Sequence, residues 1–176
     1  MKTLQDLAAI KEEMRKVIAL RLGKEADGAK YKKHVLMCGG TGCTSSGSMK
    51  IADALESQLK AKGIDNEIFV VRTGCFGLCE RGPIMIVYPE GSFYTHVKME
   101  MIDRIVEEHL IGGKPVKEFL YDETVTEGSD DIKSLNETTF YAKQNRVALR
   151  NCGVINPEDI NEYIGRSGYE ALHKVL

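Results

Sequence analysis

Four of the five cysteines in this chain fall into two spaced pairs. Cys38 and Cys43 have four residues between them, Cys75 and Cys79 have three, and 31 residues separate the pairs. Both pairs lie in glycine-rich stretches, CGGTGCTSSG and TGCFGLCERGP. Four thiolates suit soft metals, either an iron–sulfur cluster or zinc. Zinc knuckles usually keep two residues between paired cysteines, because each knuckle wraps one ion. A 2Fe–2S rhomb is longer and takes two ligands on each iron, so the wider spacings fit its shape better. On this basis Cys38, Cys43, Cys75 and Cys79 are the expected cofactor and metal ligands, with a structural zinc module as the competing chemistry. Gly39, Gly40, Gly42, Gly74 and Gly77 let backbone N–H groups approach the sulfurs and stabilise negative charge there.

The elements that must position these thiols can be read from periodicity and turn chemistry. Lys33 to Met37 reads as a strand ending at Cys38, followed by the glycine-rich turn. A helix is expected from about Ser48 to Lys62, with Ile51, Leu55 and Leu59 on one face and Gly63 as its stop. Glu67 to Arg72 reads as a second strand that delivers the chain to Gly74 and Cys75. After Pro83, IMIVYPEGSFYTHV reads as two strands joined by a turn at Pro89, Glu90 and Gly91. Lys98 to Ile111 is expected to be helical, with Met101, Ile102, Ile105 and Val106 inward. The order strand, helix, strand, hairpin, helix implies an α/β fold in which helices flank a mixed sheet with one parallel pair. In such a sheet, loops at the same ends of adjacent parallel strands meet, so the two cysteine pairs can converge.

Further segments flank this unit. Residues 1–30 hold an amphipathic helix, Thr3 to Leu22, capped by Thr3 with Asp6 at N3 and stopped by Gly23. Residues 31–113 form the sheet domain. Residues 114–139 read as an acidic linker: from Gly112 to Thr139 there are seven acidic and three basic residues, with a GSDD turn. Residues 140–176 regain pattern, with Asn156 and Pro157 expected to open a helix carrying Ile160, Tyr163 and Ile164, and YEALHKVL expected to form another.

Composition narrows the class. The chain is 43% hydrophobic and 28% charged with a net charge of −2, a globular balance without the basic stripe that nucleic acid requires. No apolar run reaches the roughly 20 residues needed to span a bilayer, and charges break the N-terminus too early for a signal peptide. Cytoplasmic residence is therefore expected, where cysteines act as ligands or reactive groups before they form disulfides. Gly42 and Gly47 have phosphate-loop spacing, but Ser48 stands where the lysine belongs. No G-x-G-x-x-G follows a strand, and Cys75 and Cys79 are not a C-x-x-C dithiol. His34, His96, His109 and His173 show no ligand spacing. Cys152 lies outside the motif and reads as a small buried residue. Phe76, between two ligands, is expected to shield the site. Arg72 and Arg81 read equally as solvated charges or as groups that offset cluster charge or dock a partner.

The stretches CGGTGCTSSG and TGCFGLCERGP resemble the thioredoxin-like 2Fe–2S ferredoxins over about Tyr31 to Ile111. The resemblance implies a thioredoxin-like ferredoxin fold, a 2Fe–2S cluster on all four motif cysteines, and single-electron transfer. The tail, RVALRNCGVINPEDINEYIGRSGYEAL, resembles the opening of the flavin-bearing, NADH-oxidising subunit of complex I and of its relatives. These include the beta subunit of electron-bifurcating, NADP-reducing iron-only hydrogenases. Members of that group continue into an FMN loop, an NAD(P) site and a 4Fe–4S motif, none of which appears here. The resemblance therefore implies the N-terminal part of a larger NAD(P)H-linked subunit. Its partners would be the remaining flavin domain and other redox subunits, with Val147, Leu149, Val154 and Ile155 partly exposed toward that domain. A stand-alone ferredoxin is the alternative.

Overall fold

The computed structural model describes residues 3–23, 29–126, 128–129 and 131–175. Residues 24–28 of the N-terminal segment, Glu127, Asp130 of the expected GSDD turn and the terminal Leu176 lie outside them.

Strand β1 (Lys33–Cys38) is central. It pairs parallel with β2 (Ile68–Thr73) and antiparallel with β3 (Met85–Tyr88), which pairs antiparallel with β4 (Ser92–Tyr94). The order is β2-β1-β3-β4, the mixed sheet expected from the sequence. Val35 through Cys38 are all buried, because both faces of the sheet are covered. Short helix α2 (Thr41–Ser45) and helix α3 (Ser48–Ala61) connect β1 to β2. Val35, Met37, Met85 and Val87 face Ile51, Leu55 and Leu59 of α3, together with Ile102, Ile105 and Val106. Those last three lie on a helical run made of a 3-10 turn (Met99–Met101), α4 (Ile102–Arg104) and a wider π-type stretch (Ile105–Ile111). The wide turns end where the Gly112 N–H donates to the Glu107 carbonyl.

The opposite face buries Leu36, Cys38, Ile86 and Phe93 against Phe76, Leu135 and Tyr141. Two of these covering residues come from C-terminal to the helical run. The described residues of 114–138 form short 3-10 turns and isolated bridges, as an acidic segment would, yet Val116 and Leu120 enter the core and Leu120 bridges to Tyr94. Apolar side chains at these positions tie the segment down despite its charge.

Helix α1 (Leu4–Ile18) carries the expected capping box of Thr3 and Asp6 and continues as a 3-10 turn (Ala19–Leu22) to a left-handed Gly23. It packs on α6 (Ile160–Gly165). A Cβ on Gly165 would stand 2.6 Å from Met14 Cβ. The cap of α6 is Asp159, whose side chain accepts from the Asn161 N–H, and not Asn156. Asn156 instead accepts from Glu158 in a preceding turn. Short Asx turns compete locally with helix, and here one delays the helix by three residues. Helices α5 (Thr139–Ala142) and α7 (Glu170–Val175) complete the chain. Val147 and Leu149 are exposed and Val154 is half-buried, but Ile155 is buried against the sheet domain. The exposure expected of Ile155 is thus corrected. Its backbone carbonyl is engaged by Thr73, which draws it inward.

Candidate metal centre

The parallel pairing of β1 and β2 extends one step past the strands, as the Gly39 N–H donates to the Thr73 carbonyl at 2.7 Å. That bond sets the two cysteine loops side by side. Cys38 closes β1, and its carbonyl accepts from the buried Ser48 hydroxyl at the start of α3 at 2.8 Å. Cys43 lies within α2, Cys75 follows β2, and Cys79 opens a 3-10 turn (Cys79–Arg81).

Close approach enforces glycine at two positions. A Cβ on Gly40 would stand 2.8 Å from Cys75 Cβ and 3.1 Å from its sulfur. A Cβ on Gly82 would stand 2.7 Å from Cys43 Sγ. Gly42 lies beside Cys79, at 3.6 Å from its Cβ by the same construction. The four thiols therefore share one locus, with the first loop folded over the second.

They gather as two pairs. Cys75 Sγ and Cys79 Sγ are 3.6 Å apart. Two thiolates on one tetrahedral metal with bonds of about 2.3 Å stand about 3.8 Å apart. Cys38 and Cys43 interact with each other in turn. Donors spread as two pairs fit an elongated two-iron group, so the residues present suit a 2Fe–2S cluster.

The pairs differ in environment. Cys38 and Cys43 are each 1% exposed, Cys75 is half-buried and Cys79 is exposed. Burial pushes the Cys38 thiol up to about 12, against the pull of the Gly40 and Phe76 backbone N–H groups. The neighbouring Cys75 thiol raises that of Cys79. A bound cation must displace these protons, so ligation favours the thiolate where the protein alone does not. Direct N–H to sulfur donation is seen at Gly77, whose N–H reaches Cys75 Sγ at 3.2 Å.

Other residues singled out by sequence find their places. Phe76 is buried, and a Cβ on Gly153 would stand 2.6 Å from its ring. Arg72 is turned from the thiols into ion pairs with Glu56 at 2.6 Å and Asp53 at 2.7 Å. Arg81 stacks over Tyr121 with its guanidinium 5.4 Å from the ring centroid. Cys152 is not remote from the motif: a Cβ on Gly74 would meet Cys152 Sγ at 3.6 Å. The tail returns over the Cys75 loop, a long-range contact that spacing along the chain does not encode. The same return brings Tyr141, whose hydroxyl donates to the Phe76 carbonyl. Its only sequence signal was an aromatic residue at the start of the tail.

A mixed sheet with paired thiols at the ends of its parallel strands has the arrangement of a thioredoxin-like iron–sulfur protein. The thioredoxin-like 2Fe–2S ferredoxin family profile matches residues 26–110. A ferredoxin-named relative from Priestia megaterium, a putative 2Fe–2S ferredoxin, is 37% identical over 112 residues, covering 60% of this chain and 87% of that protein. The 2Fe–2S ferredoxin of Clostridium pasteurianum is 40% identical over 75 residues, covering 43% of this chain and 74% of that protein. The chain belongs to the thioredoxin-like 2Fe–2S ferredoxin family. A shorter match, 59% identical over 39 residues, links it to the NADP-reducing hydrogenase subunit HndC of Solidesulfovibrio fructosivorans, covering 22% of this chain and 8% of that protein. Among the described residues, no helix is long and apolar enough to cross a membrane.

Proposed function

We propose that Cys38, Cys43, Cys75 and Cys79 ligate the cluster, and that this chain relays single electrons within a multi-subunit, NAD(P)H-linked oxidoreductase of the hydrogenase or complex I type. The observation that carries the ligand set is the convergence of two thiol pairs at the same ends of β1 and β2. When bound, the cluster supplies one-electron oxidation and reduction. Cys38 and Cys43 anchor the buried side and exclude water from it. Cys79, the exposed thiol, marks the side on which a redox partner approaches. The Gly77 N–H stabilises charge on the Cys75 sulfur.

The assignment to a larger enzyme is supported by the 39-residue match, 59% identical, with the hydrogenase subunit. In that setting residues 31–113 serve as the ferredoxin domain and 114–139 as the connecting segment. Residues 140–176 are then the start of a flavin-subunit domain, with FMN, NAD(P) and a 4Fe–4S centre held elsewhere. The second reading, a stand-alone ferredoxin, is favoured by the coverage of the two ferredoxin relatives. Iron and sulfide analysis with electron paramagnetic resonance of the dithionite-reduced chain tests the site. About two irons and two sulfides per chain are expected, and one zinc without iron would refute it. Cys79→Ala should abolish or severely destabilise the cluster, while Cys152→Ala should leave its spectrum intact. Co-purification of the natively expressed chain with a flavoprotein separates the two settings.

A further inference from the structure

The Cys75 loop is held by residues that lie well outside the matched family span. The Thr73 hydroxyl donates to the Ile155 carbonyl at 2.7 Å, Cys152 packs on Gly74, and Gly153 seats the Phe76 ring. Arg146 bonds the Cys152 carbonyl at 3.1 Å and lies 5.2 Å over the Tyr141 ring. Arg146, over its ring, holds Tyr141, which is buried and whose hydroxyl donates to the Phe76 carbonyl. The other end of that same peptide unit is the Gly77 N–H, the group that donates to Cys75 Sγ.

A carbonyl that accepts a hydrogen bond polarises its own peptide, and the N–H at the far end becomes a stronger donor. The effect is large where water is excluded, as it is around Tyr141. We propose that Tyr141 is a positioning residue that tunes the Cys75 ligand through the Phe76–Gly77 peptide, raising the reduction potential of the cluster. The sign follows from charge. Reduction adds one electron, and a stronger N–H donor to the sulfur stabilises the more negative form. The inference rests on Cys75 being a ligand, as proposed above.

The test is a redox titration of the cluster-loaded full chain, followed by visible absorbance and paramagnetic resonance, in Tyr141→Phe and Thr73→Val. Tyr141→Phe keeps the ring and removes only the donor. Thr73→Val removes a tail-to-loop bond of similar burial that does not touch the Phe76–Gly77 peptide. The cooperative share of a charge-assisted bond predicts that Tyr141→Phe lowers the equilibrium constant for reduction about two- to fivefold. At 59 mV per tenfold for one electron, this is a fall of about 20–40 mV. Thr73→Val should lower the thermal midpoint and leave the potential in place. An unshifted potential in Tyr141→Phe, or equal shifts in both variants, would overturn the proposal. So would a Tyr141→Phe chain unable to hold a cluster, since Tyr141 would then be a structural requirement. An unaltered spectrum in Cys75→Ser would instead remove the premise that Cys75 is a ligand, and so separates the two failures.

Discussion

Arg21 and Glu162 form an ion pair whose side chains are 0% and 2% exposed, and it joins the N-terminal helix to the tail. Arg21 Nη1 and Nη2 reach the two Glu162 oxygens at 2.6 and 3.0 Å, Nη1 also donates to the Val154 carbonyl, and Nε donates to His34 Nδ1. Glu162 accepts in addition from the Asn156 N–H at 2.8 Å. Removing one partner of such a pair leaves a desolvated charge, a cost of about 3–5 kcal/mol. Glu162→Gln preserves shape and strands the Arg21 charge, so it should lose that amount. For a chain of this size the loss corresponds to a fall in thermal midpoint of about 6–20 °C. The double variant Arg21→Met/Glu162→Leu should recover much of the loss, because no charge is then buried. Denaturation followed by circular dichroism and by cluster absorbance, on the wild type, Arg21→Met, Glu162→Leu and the double variant, gives the coupling energy directly. Single variants that each cost less than about 1 kcal/mol, or a double variant as unstable as the sum of the singles, would refute the reasoning.

Three further outcomes are expected. Gly40→Ala and Gly82→Ala should lose cluster content, since their methyl groups overlap Cys75 Cβ and Cys43 Sγ; iron analysis of either variant at wild-type loading would refute the close approach. Burial, with Arg21 beside it, lowers His34 to about 3, and burial lowers His109 to about 4. Both therefore stay neutral in the folded chain while the unfolded chain takes up protons below about 6.5, so stability is fully present above that pH and is lost as pH falls. At pH 5 the loss is about 2 kcal/mol for each group, read by urea unfolding at pH 7 and 5, and a His34→Gln variant with an undiminished pH slope would count against it. The chain by itself should bind FMN at background level and show no NADH oxidation with a dye acceptor, because the glycine-rich loop that could have cradled a phosphate carries Cys38 and Cys43; steady turnover would reveal an active site elsewhere in it.

The sequence by itself determined the sheet and the identity of the four thiols. Alternating and continuous apolar runs placed β1 through β3 to within a residue or two, and the start of β4, because a strand buried on both faces must be apolar throughout. Strand β4 ends at Tyr94, three residues before the expected Val97. The cysteine spacing and its glycines were legible for a similar reason: the four thiols are local to two loops, and the loops follow from the strand order. Only the tertiary structure decided what surrounds them. Ile155, Cys152 and Tyr141 reach the Cys75 loop from more than sixty positions along the chain. Arg21 finds Glu162 across 141 residues. Such pairings depend on where the tail docks, which is set by shape and by one buried ion pair and leaves no periodic trace in composition. Asp159 displaced Asn156 as the helix cap for the same kind of reason: several side chains could have capped locally, and the packing of α6 on α1, with Glu162 drawn to Arg21, selected one.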